Sequence, residues 1–448
     1  MSDTAAFSYA FSTLQQLAED VLKHAATKGA SACEVDVSEG FGQSVTVRCD
    51  EVETIEFNRD KGIGITVYAG QRKGYASTSD FSPQALRETV DAALAIARYT
   101  AEDDCAGLAD AALMAKDVPD LDLYHPWALT VDDAITLARR CEQAAFDTSP
   151  LVDNSEGATV STQQAHFVSA NSHGFMGGYP TSRHYLSASV IAGERDSMQR
   201  DDWYTTHRNA AALDAPERVG RIAAERAVAR LGGRKLKTGE FPVLFEAPLA
   251  AGLLGSLVHA ASGGALYRKS SFLQDRLGQR IFPGFVRIVE RPHLRGGLAS
   301  AAFDSDGVAT QDSDVVVDGV LQRYFLSSYT ARKLGMQTTA NAGGSHNLII
   351  EPGELDRDGL LKRMGRGLLL TELLGHGINY VTGDYSRGAA GFWVEDGEIV
   401  HPVEEITIAG NLRDMFAGIL AVGNDVHVRG GKQTGSVLID RMTIAGEG

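Results

Sequence analysis

Two Asp-Gly pairs constrain the second half of this chain more than any other local feature. VVVDGVLQRYFL places Asp318-Gly319 between apolar runs, and FWVEDGEIV does the same with Asp396-Gly397. Both residues of such a turn need positive φ, so each pair predicts a tight antiparallel hairpin. FPVLF, Phe241 to Phe245, reads as a further buried strand. The second half is therefore expected to be rich in strands.

The first half is organised differently. Leu14, Leu17, Ala18, Val21, Leu22 and Ala25 recur at helical spacing, and the helix is expected to end near Gly29. Val45 and Val47, then Ile63, Ile65 and Val67, alternate as strands do, which predicts a β-meander running to about Thr78. A second helix starts at Ser82-Pro83, where proline suits the first turn, and a third follows Thr130. Short polar β segments are expected from Asn154 to about Asp214, then a helix from Pro216 that stops at Gly232-Gly233. The expected fold class is α+β. An N-terminal helix and β-meander domain with a β-rich middle segment spans residues 1–233, and a strand-rich C-terminal domain spans residues 234–448.

Composition narrows the function. The formal net charge of −16 repels phosphate backbones, so nucleic acid is not an expected partner. The basic run from Arg221 to Lys237 reads as a solvated helix face and its exit. No stretch of about 18 apolar residues occurs, so no membrane span is expected. The opening MSDTAAFSYAFSTLQQLAED lacks a basic region followed by an apolar one, so no signal peptide is expected either. Cys33, Cys49, Cys105 and Cys141 form no Cys-x-x-Cys pair and read as reduced thiols of a cytoplasmic protein.

The stretch GLLGSLVHAASGGALY, Gly252 to Tyr267, carries the candidate chemistry. Read as one helix, it stacks Leu253 and Leu257 with Leu249 on one side. Gly252, Gly255, Ser256, His259 and Gly263 line the other. Glycine costs up to about 1 kcal/mol in a helix. A stripe of it predicts a close neighbour: another helix, a strand, or a bound peptide. A second candidate is Gly383, Asp384, Tyr385, Ser386 and Arg387, where backbone donors meet a cation suited to a peptide carboxylate or an interface. The plainer alternative there is a turn with an Asp–Arg pair. His346, His376, His401 and His427 show no zinc-ligand spacing with one another. Neither a Gly-x-Ser-x-Gly elbow nor a phosphate-binding glycine loop occurs.

These segments resemble the family of paired TldD and TldE (PmbA) proteins, known as metalloproteases or as modulators of DNA gyrase. TGDYSRGAAGFWVEDGEIVHPVEEITIAGNLRDMF, Thr382 to Phe416, is similar to the PmbA type at nearly every position, and the resemblance runs over essentially the whole chain. It implies that the Gly252–Tyr267 helix corresponds to one that carries His-Glu-x-x-x-His in the catalytic type. Here the first histidine falls on His259, the glutamate position is Ala260 and the second histidine position is Gly264. The catalytic type also uses a cysteine near its C-terminus, and this chain has none after Cys141. The resemblance thus implies a noncatalytic subunit with no catalytic residue, metal or cofactor of its own. Zinc would be held by a TldD-type partner, and the pair would cut unfolded or extended peptides. A homodimer is the alternative assembly when that partner is absent. Two other readings stay open: a stand-alone metallohydrolase built on His259 and distant groups, and a regulatory binding protein.

Overall fold

The periodicities become regular elements largely where they are expected. The computed structural model describes residues 6–446. Helix α1 (Phe11–Thr27) buries Leu14, Ala18, Val21 and Ala25, and the chain turns at Gly29 with φ +85°. Strands β1 (Ala32–Arg48), β2 (Glu51–Ala69) and β3 (Arg72–Thr78) form the meander. Helix α2 (Pro83–Tyr99) is capped by Ser82, whose hydroxyl accepts the Ala85 N–H at 3.3 Å. Helix α3 (Val131–Thr148) is capped by Thr130 in the same way.

The following region differs from the expectation of short β segments. It holds two long strands, β4 (Val152–Asn171, 20 residues) and β5 (Met176–Ala192, 17 residues), then β6 (Gln199–His207) and α4 (Pro216–Ala229). Gly174 and Gly193 stand at strand ends with φ +87°, but other glycines lie inside the long strands. Gly157 sits at a register shift with φ +117°, and a Cβ at Gly178 would meet the Phe167 carbonyl oxygen at 2.0 Å. Glycine inside a strand here marks a bulge and a close backbone approach.

These strands form one antiparallel sheet in the order β3-β2-β1-β4-β5-β6. Helices α1 and α2 cover one end of it, over Val35, Val37, Ile63, Ile65 and Val168. Helices α3 and α4 cover the other end, over Val45, Val47, Val160 and Leu186. In between, the segment ahead of α1 crosses buried polar groups. Glu39 accepts the Ser8 and Tyr9 N–H groups at 2.7 and 3.1 Å, and Phe7 stacks on His166 at 3.9 Å.

The second half starts with β7 (Gly239–Phe245), α5 (Ala247–Ala260) and α6 (Gly263–Tyr267). Short strands β8 (Ile288–Glu290), β9 (Ser313–Val317) and β10 (Val320–Leu321) follow, then α7 (Ser328–Leu334), β11 (Leu348–Ile350) and α8 (Arg357–Met364). Strands β12 (Gly367–Leu374), β13 (Asp384–Glu395) and β14 (Glu398–Asn411) lead to α9 (Leu412–Ala417), β15 (Ile419–Val422), β16 (Lys432–Gln433) and β17 (Val437–Ala445). Both Asp-Gly hairpins form, with φ values of 49° and 76° at Asp318-Gly319 and 51° and 79° at Asp396-Gly397.

One sheet runs β14-β13-β12-β7-β17-β15, and β14 also pairs with β17, so five of its strands close a ring. The smaller sheet runs β10-β9-β8-β11-β16. Leu253, Leu254 and Leu257 of α5 pack in one core with residues of both sheets. Among the described residues, no helix is long and apolar enough to cross a membrane.

Candidate functional site

Helix α5 stops before the motif it resembles is complete. Its last residue is Ala260, and α6 begins at Gly263. The continuous helix expected from Gly252 to Tyr267 is therefore two helices. At the break the Phe325 N–H donates to the Ala261 carbonyl at 3.0 Å, and the Gly263 N–H donates to the Phe325 carbonyl at 2.9 Å. Ser262 then caps α6 by accepting the Ala265 N–H at 3.3 Å. Ser262-Gly263-Gly264 is a legible breaker and cap signal, and it marks this boundary in the sequence.

The break puts Gly264 in a different helix from His259 and Ala260. His259 is exposed and stacks on Tyr380, with ring centroids 3.9 Å apart. Ala260 is fully buried in the core on the far side of the helix. Gly264 lies in α6, where a Cβ would meet the Arg268 guanidinium at 3.3 Å. One imidazole held against a tyrosine ring does not by itself fit a catalytic zinc, which takes three protein ligands. The other histidines do not supply them. His346 contacts Glu290 at 3.2 Å, His401 contacts the Pro402 carbonyl at 3.0 Å, and His427 packs edge-on to Trp203. Among the described residues, no group of three or more His, Cys, Asp or Glu side chains is placed to hold a metal ion.

What the fold does assemble is a cavity of about 250 Å³ between α5 and β13. Gly252 and Ser256 line it from the helix, and Tyr385 and Arg387 from the strand. Residues two apart on a strand share a face, which brings Tyr385 and Arg387 in together. Burial pushes the Tyr385 phenol up, and the adjacent Arg387 guanidinium opposes that shift. Gly252 is exposed, and a Cβ there would have nothing within 4 Å. A Cβ on Gly255, one turn along, would come no closer than 3.8 Å to anything, the nearest atom being Cε of Lys432. Among the described residues, no element packs tightly on these two glycines.

Gly383 and Asp384 are not part of the cavity. Gly383, at φ +89°, makes the turn into β13, where a Cβ would strike the Asn411 side chain at 2.8 Å. The Asp384 carboxylate accepts from Thr382 Oγ1 at 2.6 Å and Asn411 Nδ2 at 3.1 Å, bonds that hold it below the usual carboxylate range. The Asp384–Arg387 pair does not form, because residues three apart on a strand point to opposite faces. Sequence reasoning also missed Leu373 and Ile378, which line the cavity, and Tyr380, which stacks on His259. Leu373 is in β12 and the other two lie in the loop to β13, so the pairing of β12 with β13 brings them to the helix, and that pairing has no local signal. A larger cavity of about 810 Å³ lies elsewhere, beside His293 and Arg323.

An open glycine face on a helix that packs against a ring of strands is the arrangement of a mixed α+β peptide-processing fold, and comparison with known families gives its class. Three family models match in order: the PmbA/TldA metallopeptidase domain 1 over residues 33–97, the central domain over 124–231 and the C-terminal domain over 238–446. The chain belongs to the PmbA/TldD family of metallopeptidases. It is 51% identical to metalloprotease PmbA of Escherichia coli O157:H7 over 97% of this chain and 96% of that one. A solved Bacteroides thetaiotaomicron protein, described as a modulator of DNA gyrase, superposes with a TM-score of 0.92 at 27% identity, over 96% of this chain and 98% of that one. TldE from Thermococcus kodakarensis shares the fold, with a TM-score of 0.81 at 19% identity, over 96% of this chain and all of that one.

Proposed function

We propose that this chain is the PmbA/TldE-type, noncatalytic subunit of a cytoplasmic two-component metallopeptidase. In this reading a TldD-type subunit holds the zinc, and this chain supplies assembly contacts and part of the substrate cleft. The observation that carries the reading is the end of α5: His259 is stacked on Tyr380, Ala260 is buried, and Gly264 lies beyond the helix break. The family is one of metallopeptidases, while this helix offers neither a general base nor a pair of ligands.

The substrates in this reading are unfolded or extended peptides. Strand β3 covers β2 only from Ile63 to Ala69, so the outer edge of Glu51–Lys61 is unpaired among the described residues. Every residue from Glu51 to Lys61 is exposed, Ile55 and Phe57 included. A free edge recruits an extended chain through main-chain hydrogen bonds, which read extension rather than sequence. That supports broad peptide substrates and fits poorly with direct DNA contact by a chain of net charge −16.

The test is paired. The purified chain is analysed for zinc and assayed on an unfolded peptide, with and without a TldD-type partner. The expected result is no bound zinc, no cleavage by the chain alone, and cleavage with the partner. Stoichiometric zinc with cleavage by the chain alone would overturn the reading. Capture of a topoisomerase in place of a TldD-type subunit would favour a regulatory role.

A further inference from the structure

The cavity between α5 and β13 is lined by a half-buried cation, Arg387, that no described carboxylate pairs with. Nε of Arg387 is buried and has no hydrogen-bond partner, and no described carboxylate forms an ion pair with this guanidinium. A buried, charged donor without a partner is costly, and native structures rarely keep one without a use for it. The remaining polar groups suit an anion. The Tyr385 hydroxyl lies against the guanidinium, and as an acceptor from it keeps its own proton free to donate. Ser256 is already committed, donating to the Gly252 carbonyl at 3.2 Å. The other walls are apolar, notably Leu249, Leu253, Leu373 and Ile378.

Size restricts the guest. Sites for drug-sized molecules run to roughly 300–1,000 Å³. At about 250 Å³ this cavity holds about one residue. Gly252 lines it and is exposed, and with nothing within 4 Å of a Cβ there, a longer side chain has room to extend across the cavity.

We propose that this cavity binds the C-terminal carboxylate of a peptide whose last residue is apolar. Arg387 and Tyr385 hold the carboxylate, and the leucine-lined wall takes the side chain. An arginine-carboxylate contact supplies the charge-assisted hydrogen bonds that the orphaned Nε lacks. The assignment deepens the proposed function and rests on it only in treating the α5 face as the substrate side.

The full-length chain is titrated calorimetrically with N-acetyl-Ala-Ala-Leu, with its C-terminal amide, and with N-acetyl-Ala-Ala-Glu-amide. The expected result is one saturable site for the acid, with the amide at least about tenfold weaker. Arg387→Gln and Tyr385→Phe should each reduce the difference between acid and amide. Gly252→Leu should block both. Circular dichroism and the thermal midpoint show that each variant is folded. Equal binding of acid and amide, or no binding of either at millimolar concentration, overturns the assignment. Glu-amide binding as tightly as the Leu acid overturns recognition of the chain end in favour of a side-chain carboxylate. These results are separable from the assembly test. Loss of the site with partner-dependent cleavage intact removes only this inference, and acid binding without such cleavage removes only the assembly reading.

Discussion

Arg226 of α4 donates two hydrogen bonds to the carboxylate of Glu246, at 2.9 and 3.0 Å. Glu246 immediately precedes α5, so the helix that carries the site is anchored at its start by the first half of the chain. Arg226 Nε also donates to Asp201 at 3.0 Å. Burial alone would push the guanidinium pKa down, but Glu246 and Asp201 more than offset that and the net direction is up. Removing one partner leaves a desolvated charge behind. Arg226→Met is therefore expected to cost about 3 kcal/mol. Urea denaturation gives the value, and Arg226→Met with Glu246→Gln together should cost less than the sum of the two. Simple additivity would show that the pair does not couple the two halves.

Ala260→Glu restores one letter of the catalytic motif and is expected to yield no peptidase. Ala260 is fully buried, so the new carboxylate would enter the core rather than meet His259. The expected outcome is a stability loss of several kcal/mol, since an unpaired buried charge is among the costliest substitutions. A folded variant that cleaves peptide by itself would disprove this account of the helix.

Gly255→Leu separates stability from function. A Cβ at this position comes no closer than 3.8 Å to the Lys432 side chain, and leucine favours a helix over glycine by up to about 1 kcal/mol. The thermal midpoint should hold or rise. Partner-dependent cleavage should fall if this face meets the partner or the peptide. Unchanged cleavage in a stable variant would place the contact surface elsewhere.

Asp304 makes stability depend on pH in an uncommon direction. Burial, then the nearby charge of Asp306, pushes its carboxyl up to about 6, against three backbone N–H groups that favour the anion. An unfolded aspartate titrates near 4, so between about 4 and about 6 the folded chain holds a proton that the unfolded chain has released. This contribution is complete below about pH 4 and is lost as pH rises through about 6. Carbon NMR of the Asp304 carboxyl should show the raised midpoint. Asp306→Asn should lower that midpoint and flatten the fall in stability. A midpoint near 4 in the wild type would refute the assignment.

The sequence by itself determined the elements whose signals are local. Ser82 and Thr130 cap α2 and α3 as their positions require, and the two Asp-Gly pairs make their hairpins, because a cap or a tight turn is decided within four residues. It also determined the family, since the matched segments run through nearly the whole chain. Helical periodicity across Ser262-Gly263-Gly264 predicts one continuous helix, and the structure breaks it there. Only the tertiary structure decided that Gly252 and Ser256 share a cavity with Tyr385 and Arg387, more than a hundred residues further along the chain, while Asp384 does not. That choice depends on which face β13 turns towards α5, and the pairing of β12 with β7 and β13 sets it. A one-residue change of register would exchange Asp384 for Tyr385 at the cavity wall, and no local pattern specifies that register.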